Sequence, residues 1–438
     1  MKIVIGAGLA ALLSLSPAVL AANEADLQAI RAQIQELKQN YEQRIAQLEQ
    51  RLQQAEANHA ENPAPIVSAA SPASSENSFN PAISLILSGS YGQLQRDPEI
   101  PVTGFTLSPN NNGYTKGFSL KESEIGISAN IDPQFRGVGT FSLDPAGGIS
   151  VENAFVQTSA LGNGLNLKFG RYFSGLGYLN EQHSHTWDFA DQPLVYRVFW
   201  NNQLGEDGVQ LKWLAPSDRY IELGGELNRG LNFPGTHNQN NGSGASVLFL
   251  HLGDDIGIEN SWRAGVSWYQ TGRENAQLTS NSPAFSGDSH TAGLDLVWKY
   301  SPKGNISQRY LKLQGEYFRR SENGLLTYTP LASDHYSVTQ SGWYLQTVLQ
   351  FAPAWRTGLR YDQLDPGVAV AGANIAGNVL SHDGFYPARV SWMTDYNPSE
   401  FTRLRLQYAL DKSRQGLTDN QLFLQYIVSM GAHGAHQY

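Results

Sequence analysis

Four side chains that can ligate a metal ion lie within nine residues of one another: His183, His185, Asp188 and Asp191. Imidazole nitrogens and carboxylate oxygens are ligands that Zn²⁺ and similar divalent ions accept, and the chain has no cysteine to offer a thiolate. We predict that these four residues line the constriction of a pore and bind zinc transiently. The alternative is that each side chain caps a turn or hydrogen-bonds its loop to a neighbouring wall.

A second histidine pair, His433 and His436, lies close to Tyr438 at the end of the sequence. These two residues are further candidates for metal ligands, and the alternative is a tolerated polar tail. A terminal aromatic residue is the usual feature by which the barrel-assembly machinery recognises the last strand of an outer-membrane barrel. We therefore expect that machinery to be a partner, although the Gly/Ala/His run before Tyr438 departs from an ordinary apolar final strand.

Basic residues recur at alternate positions of several predicted strands, and we expect them to face a lumen. The members of this basic wall are Lys212, Arg263, Arg356, Arg360, Arg389, Arg403 and Arg405. Fewer acids fall at inward positions, among them Glu124 and Glu316. Basic rings favour anions and acidic rings favour cations, so the sign of the selectivity stays open. An acidic loop opposite the basic wall would create a field across the pore.

The elements that would position these residues are strands with strict alternation of apolar and polar side chains. Leu404 and Leu406 alternate with Arg403 and Arg405, and Leu359 precedes Arg360 in the same way. Successive strand side chains point to opposite faces, so one face suits lipid and the other a water-filled lumen. We predict that Arg356, Arg360, Arg403 and Arg405 face inward, while Trp355, Leu359, Leu404 and Leu406 face lipid.

Short turns and long polar loops also alternate along the chain, which is the rhythm of an outer-membrane barrel. Short turns are predicted at 131–133, 253–255 and 397–399, and a long loop at 272–287. Sixteen strands are predicted at 82–92, 118–129, 134–143, 149–160, 164–171, 207–214, 218–228, 245–252, 258–270, 289–300, 306–319, 339–351, 354–363, 385–395, 401–411 and 420–430. An even number of strands is typical of single-chain bacterial barrels, and sixteen enclose an aqueous channel.

The longest predicted loop, 172–206, joins the fifth and sixth strands and carries the first histidine and aspartate cluster. It is rich in aromatic residues, including Trp187, Phe189, Tyr196 and Trp200. Such side chains are unfavourable in water, so we predict that the loop folds inward against the barrel wall.

The segment before the barrel divides into three parts. Residues 1–22 have the basic start, apolar stretch and small-residue cleavage site of an export signal. Apolar residues at spacings of three and four predict a periplasmic coiled coil at 23–57, which implies self-association and suits a homotrimer. Residues 58–80 are rich in Pro, Ala and Ser and predict a linker, and residues 81–438 form the barrel.

The fold class is therefore all-β: a 16-stranded antiparallel transmembrane β-barrel with an N-terminal periplasmic coiled-coil helix. We expect the protein in the outer membrane of a Gram-negative bacterium, in contact with its lipid. The formal net charge of −9 and the lack of a basic domain exclude a nucleic-acid partner. No nucleophile motif is present, so we expect no enzyme activity and no required cofactor.

The order of signal, coiled coil, linker and barrel resembles the phosphate-selective porin O and P superfamily. More specifically, the segment HSHTWDFADQPLVYR at 183–197 and the GAHGAH run at 431–436 resemble a group of barrels known as zinc-regulated outer-membrane receptors. The second resemblance implies passive uptake of zinc or its complexes. Two other functions stay open: a general or anion-preferring porin of the phosphate type, and a structural barrel that anchors the envelope.

Overall fold

A computed structural model describes residues 81–97, 101–108, 114–121, 123–143, 147–235, 241–277, 284–329, 332–372 and 382–431. The predicted signal, coiled coil and linker lie outside the described residues, and so do His433 and His436. Among the described residues, no helix has the length and apolar character needed to cross a bilayer.

Sixteen strands make up most of the described chain. They are β1 (Ala82–Leu94), β2 (Gly117–Leu120 continued by Ser123–Asn130), β3 (Phe135–Leu143), β4 (Ile149–Thr158), β5 (Leu165–Phe173), β6 (Gly205–Leu214), β7 (Tyr220–Asn228), β8 (Ala245–Ile256), β9 (Asn260–Gln277), β10 (Ala284–Tyr300), β11 (Tyr310–Thr329), β12 (Ala332–Ala352), β13 (Trp355–Asp365), β14 (Ala388–Ser399), β15 (Thr402–Arg414) and β16 (Leu417–Gly431). A two-residue strand, Val370–Ala371, pairs with β12. One α-helix, α1 (Leu194–Trp200), and two short 3₁₀ turns, Ser184–Thr186 and Pro302–Gly304, complete the elements of this part of the chain.

The strands close into a barrel. Each strand pairs antiparallel with the next, and β16 returns to pair with β1, with Leu85 opposite Met430. Closure leaves no open edge, which is the condition for a sheet to cross a bilayer, because every backbone donor must find a partner there. The predicted sixteen-stranded antiparallel barrel is therefore confirmed.

Several predicted turns and loops were placed wrongly. Residues 253–255 belong to β8, where Asp254 pairs with Trp262. The chain turns two residues further on, at Gly257, whose φ of 67° suits glycine. Residues 397–399 likewise lie in β14. The predicted loop 272–287 is mostly strand, because the ladder between β9 and β10 continues to Gln277 opposite Ala284. Polar side chains on both faces of this extension conceal the alternation on which the prediction relied.

The two faces of the wall differ in polarity. On the outside, Leu359 and Leu404 are 53% and 49% exposed, whereas on the inside their neighbours Arg360 and Arg405 are 2% and 3% exposed. The structure places Arg356 and Arg403 on the same inner face and Trp355 outside. An apolar outer face and a polar inner face are what a barrel in lipid requires.

The hydrophobic core lies inside the barrel. Residues 174–204, which connect β5 to β6 and are called L3 below, fold into the lumen and carry α1. All seven residues of α1 are buried. The core also includes Leu176, Leu179 and Trp187 of L3, Phe318, Tyr344 and Leu364 of the wall, and Val102 and Phe105 of the loop between β1 and β2. The aromatic side chains of L3 thus find the wall that their apolar surface requires.

Candidate functional site

The first anchor of L3 is the carboxylate of Glu316 on β11. It accepts hydrogen bonds from the backbone N–H groups of Tyr178 and Leu179, both at 3.0 Å, and from the hydroxyl of Tyr196 at 2.8 Å. Tyr344 of the neighbouring strand donates a fourth hydrogen bond at 2.6 Å. Gly177 passes so close to this carboxylate, with a φ of 67°, that a Cβ there would collide with it. The backbone of L3 therefore contacts the Glu316 carboxylate directly, through two N–H groups and the close approach of Gly177.

Asp188 forms the second anchor. Its carboxylate pairs with Lys312 at 2.8 Å and with Arg356 at 3.1 Å, and it accepts a hydrogen bond from Gln346. Burial favours the neutral acid, but the two cations hold the pKa of Asp188 well below its ordinary value. The carboxylate is therefore ionised and engaged with the wall.

Asp191 forms the third anchor in the same way. Its carboxylate pairs with Arg360 and Arg389, each at 2.7 Å, and Gln407 donates a further hydrogen bond. Although burial favours the neutral acid here too, both guanidinium groups keep the pKa of Asp191 well below its usual range. The two aspartates thus fasten the loop to the wall, which was the alternative interpretation of their role.

The two histidines lie on the opposite side of L3 and meet two glutamates. His183 Nδ1 is 3.0 Å from Glu152 Oε2 and 3.2 Å from Glu124 Oε2, and His185 Nδ1 is 2.9 Å from Glu124 Oε1. The 3₁₀ turn Ser184–Thr186 stacks the two imidazole rings with centroids 5.7 Å apart. The four predicted ligands therefore separate into an aspartate pair on the basic wall and a histidine pair on an acidic one.

Burial and charge act in opposite directions on His183. Burial favours the neutral imidazole, but hydrogen bonds to Glu124 and Glu152 outweigh it and raise the pKa of His183 well above its ordinary value. The carboxylates therefore face the positive charge of a protonated ring, and a metal ion at Nδ1 would have to displace that proton.

Glu152 reaches the cluster because β4 has a β-bulge. Thr140 of β3 pairs with Asn153 and the next residue, Phe141, pairs with Val151, so Glu152 is an extra residue. Both Glu152 and Asn153 are consequently buried on the inner side, and the Asn153 amide nitrogen lies 3.1 Å from His183 Nε2. Bulges commonly re-aim side chains in this way near functional sites. Strict alternation predicts only one of two consecutive residues inside, so sequence analysis missed Glu152.

L3 covers most of the basic wall. Four arginines donate hydrogen bonds to a backbone carbonyl or an aspartate of L3, and all four are buried: Arg356, Arg360, Arg389 and Arg405. Lys212 pairs with Glu181 of L3 at 2.8 Å. The predicted field between an acidic loop and a basic wall therefore spans a packed contact rather than open water.

Two adjoining cavities lie in the lumen. The larger, which we call the vestibule, has a volume of about 1010 Å³ and reaches the rim that carries the short turns. The smaller has about 160 Å³ and lies along β4 and β5 beside Lys168 and Tyr172. Val138, Thr140, Glu181 and His183 line both cavities, so the two cavities adjoin at His183 of the histidine–glutamate cluster.

Acidic residues outnumber basic ones around the vestibule. Among the described residues, its seven acids are Glu124, Glu181, Asp218, Glu222, Asp254, Asp255 and Glu400, and its four strong bases are Arg136, Arg263, Lys312 and Arg403. Burial alone would raise the pKa of Glu181, but Lys212 and Lys168 lower it to about 2. Of the predicted basic wall, Arg263 and Arg403 line this cavity.

Solved structures with a similar fold are outer-membrane porins. An anion-selective porin from Comamonas acidovorans has a TM-score of 0.52 with 11% identity, covering 80% of this chain and 100% of that one. OmpTdeltaL8 of Vibrio cholerae, a loop-deletion mutant of an outer membrane protein, has a TM-score of 0.51 with 12% identity, covering 80% and 99%. The trimer form of OmpT from the same organism matches with the same values. These likenesses show that the fold is that of porins.

No protein-family model matches the chain. An uncharacterized protein of Aquifex aeolicus (strain VF5) is 34% identical over 400 residues, which cover 83% of this chain and 81% of that protein. Similarity of this degree along most of both chains identifies common descent, and the chain therefore belongs to the family of this Aquifex protein.

Proposed function

We propose that the protein is a porin-type channel of the Gram-negative outer membrane that admits small hydrophilic solutes by passive diffusion. The observation that carries this proposal is a closed sixteen-stranded barrel whose lumen is narrowed by L3 but keeps two adjoining cavities. The apolar outer face suits lipid, and the polar inner face suits water. A structural barrel would need neither a vestibule nor charged side chains along it.

Small cations are the proposed solutes, with Zn²⁺ or its complexes first among them. Seven acids against four bases around the vestibule favour cations. His183 and His185 offer the imidazole nitrogens that zinc accepts, next to the carboxylates of Glu124 and Glu152. The resemblance of residues 183–197 to the zinc-regulated receptors supports the same solute. The anion-preferring alternative would need exposed arginines, and L3 covers four of those predicted.

A homotrimer anchored through a periplasmic coiled coil is the proposed assembly. The support is the predicted apolar seam at 23–57 and the trimer form of OmpT, a protein with the same fold. Deleting residues 24–56 should weaken the oligomer on native gels and leave a folded barrel. An unchanged oligomer would show that the barrel wall alone sets assembly.

Conductance in planar lipid bilayers tests the channel proposal. The full-length protein should give stepwise currents in KCl, and the reversal potential in a KCl gradient should show preference for K⁺ over Cl⁻. Zn²⁺ in the micromolar to millimolar range should then reduce the KCl current by occupying the passage. Absence of any current would contradict the channel, and a preference for Cl⁻ would favour the anion-preferring porin.

A further inference from the structure

The histidine–glutamate cluster has the spacing of a metal site. Ligand atoms about 2.1 Å from one ion are separated by about 3.0 Å at a right angle and about 3.4 Å at the tetrahedral angle. His183 Nδ1 lies 3.0 Å from Glu152 Oε2 and 3.2 Å from Glu124 Oε2, within this interval. One ligand atom from each of the three residues lies within 4.8 Å of the others. Small side-chain movements therefore suffice to place a divalent ion between them.

A second, independent observation concerns the other oxygen of Glu152. Oε1 is buried, and no hydrogen-bond donor contacts it among the described residues. Glu152 as a whole is 9% exposed, so water does not easily replace the missing partner. An unpartnered carboxylate oxygen in a buried position is costly unless a cation compensates it. The carboxylate thus has unused capacity where the three ligands converge.

The surroundings complete the site as a metal centre requires. Metal-binding imidazoles generally hold their other ring nitrogen in a hydrogen bond, which fixes the orientation of the ring. The side-chain amide of Asn153 lies at Nε2 of His183, and with the amide turned so that its oxygen faces the ring it accepts the Nε2–H of a metal-binding imidazole. The edge of Phe173 packs against the same ring with centroids 5.5 Å apart. His185 binds Glu124 Oε1 at 2.9 Å and so fixes the second ligand.

The cluster also lies where the two cavities adjoin. His183 lines both cavities, and Glu124 lines the vestibule. Three protein ligands leave coordination positions open toward these cavities, which is the arrangement of sites that exchange a ligand rather than of closed structural sites. Asp188 and Asp191, in contrast, each pair with two basic side chains of the wall, which already compensate their charge.

We propose that Glu124, Glu152 and His183 bind one divalent transition-metal ion at the junction of the two lumen cavities, with His185 and Asn153 as positioning residues. Nitrogen and carboxylate ligands suit Zn²⁺, and Co²⁺ is a spectroscopic substitute. This site deepens the proposed function and rests on it for its role, which is to bind the solute briefly inside the channel. Of the four ligands predicted from sequence, this set keeps His183, makes His185 a positioning residue, and replaces the two aspartates by Glu124 and Glu152.

Metal binding to the purified full-length protein in detergent tests the site directly. In equilibrium dialysis with Zn²⁺, and by the visible absorption of added Co²⁺, the protein should bind one more ion than Glu152→Gln or His183→Gln. Asn153→Ala keeps all three ligands and should weaken binding at the site about 10–100-fold, the usual effect of losing such a partner. A folded state is checked for each variant by heat-modifiable migration.

Two controls make the outcome specific. Glu222→Gln alters a carboxylate that binds another buried histidine, His251, at 3.0 Å outside the cluster, and should leave binding unchanged. A variant with His433→Ala and His436→Ala removes ions bound by the chain end. If, in that background, Glu152→Gln, His183→Gln and Asn153→Ala all bind Zn²⁺ as their parent does, the site is refuted.

Conductance in metal-free KCl separates this inference from the proposed function. If the protein conducts but its cluster variants bind as many ions as their parent, the channel proposal stands and the metal site is refuted. If the protein binds the extra ion but never conducts, the metal site stands and the channel proposal is refuted.

Discussion

Replacing Glu316 by glutamine tests whether L3 controls the opening of the lumen. Glu316 is 3% exposed, and each of its two oxygens accepts one backbone N–H group of L3 and one tyrosine hydroxyl. Glutamine has nearly the same shape but only one carbonyl oxygen. Its NH₂ group must face either the N–H of Tyr178 or that of Leu179, and that N–H group loses its partner. A tyrosine hydroxyl can rotate to adapt, whereas a backbone N–H cannot.

The magnitude follows from these contacts. A buried donor without a partner costs about 1–3 kcal/mol. The remaining bonds change from charge-assisted to neutral and lose about half of their strength, which adds about 1 kcal/mol. Docking of L3 should therefore weaken by about 3 kcal/mol. At about 1.4 kcal/mol for each factor of ten, the undocked population rises about 100-fold.

Single-channel recording in planar bilayers measures this population. Glu316→Gln should spend about 100-fold more time than wild type in a state of higher conductance, because an undocked L3 leaves the lumen of a sixteen-stranded barrel wide. Glu322→Gln is the matched control, since Glu322 lies buried on the same inner face of β11 but pairs with Arg273 and Ser289 of the wall. If Glu316→Gln gave the same records as wild type, or if both variants had equal effects, the idea that L3 controls the opening of the lumen would be refuted.

Three further outcomes follow from the anchors and the vestibule. Asp191→Asn removes a negative charge that Arg360 and Arg389 share and leaves both buried guanidinium groups paired with Asp362. Because one buried positive charge then loses its compensation, the free energy of unfolding should fall by about 3–5 kcal/mol in denaturant titrations, whereas exposed Asp255→Asn should change it by less than about 0.5 kcal/mol; equal effects would contradict the anchor. Because the pKa values of Asp188 and Asp191 are lowered in the folded protein, their stabilisation is complete above the unfolded value of about 3.9 and is lost as the pH falls through the folded values. Single-channel records should accordingly show no steps to the undocked state between pH 8 and about 5. Such steps near pH 6 would contradict the lowered pKa values of the two aspartates. The double variant Asp218→Asn and Glu400→Gln reduces the vestibule acids from seven to five and should shift the reversal potential toward that of a non-selective pore, while an unchanged potential would place the selectivity elsewhere.

The wall of the barrel could be predicted because its chemistry is local. Leu359 and Arg360 are consecutive, and their opposite exposure follows from the pleat of a strand between lipid and water. The ends of the strands were harder to predict from the sequence. Beyond the apolar band both faces meet water, so β9 and β10 continue to Gln277 and Ala284 without any alternation to mark them. The turn after β8 was misplaced because Asp254 and Asp255 have the composition of a turn but lie within the ladder.

The site depends instead on where a loop comes to rest. His183 and Glu152 are 31 residues apart, and His185 and Glu124 are 61 apart, so no spacing in the sequence connects them. The bulge that turns Glu152 inward is likewise a departure from the pattern used to predict the strand.

Charge pairing explains why the predicted ligands separated. A carboxylate taken out of water needs a partner, and the inner wall offers Arg356, Arg360 and Arg389 at the positions that L3 reaches with Asp188 and Asp191. This pairing fixes the rotation of the loop and directs His183 and His185 to the other wall, where Glu124 and Glu152 lie. The two aspartates of the loop thus neutralise the basic wall, and the seven acids around the vestibule, among them Glu124 of β2, are left to set its charge. We therefore expect ion selectivity to follow the charge of the wall that L3 leaves uncovered, rather than the number of basic residues that L3 covers.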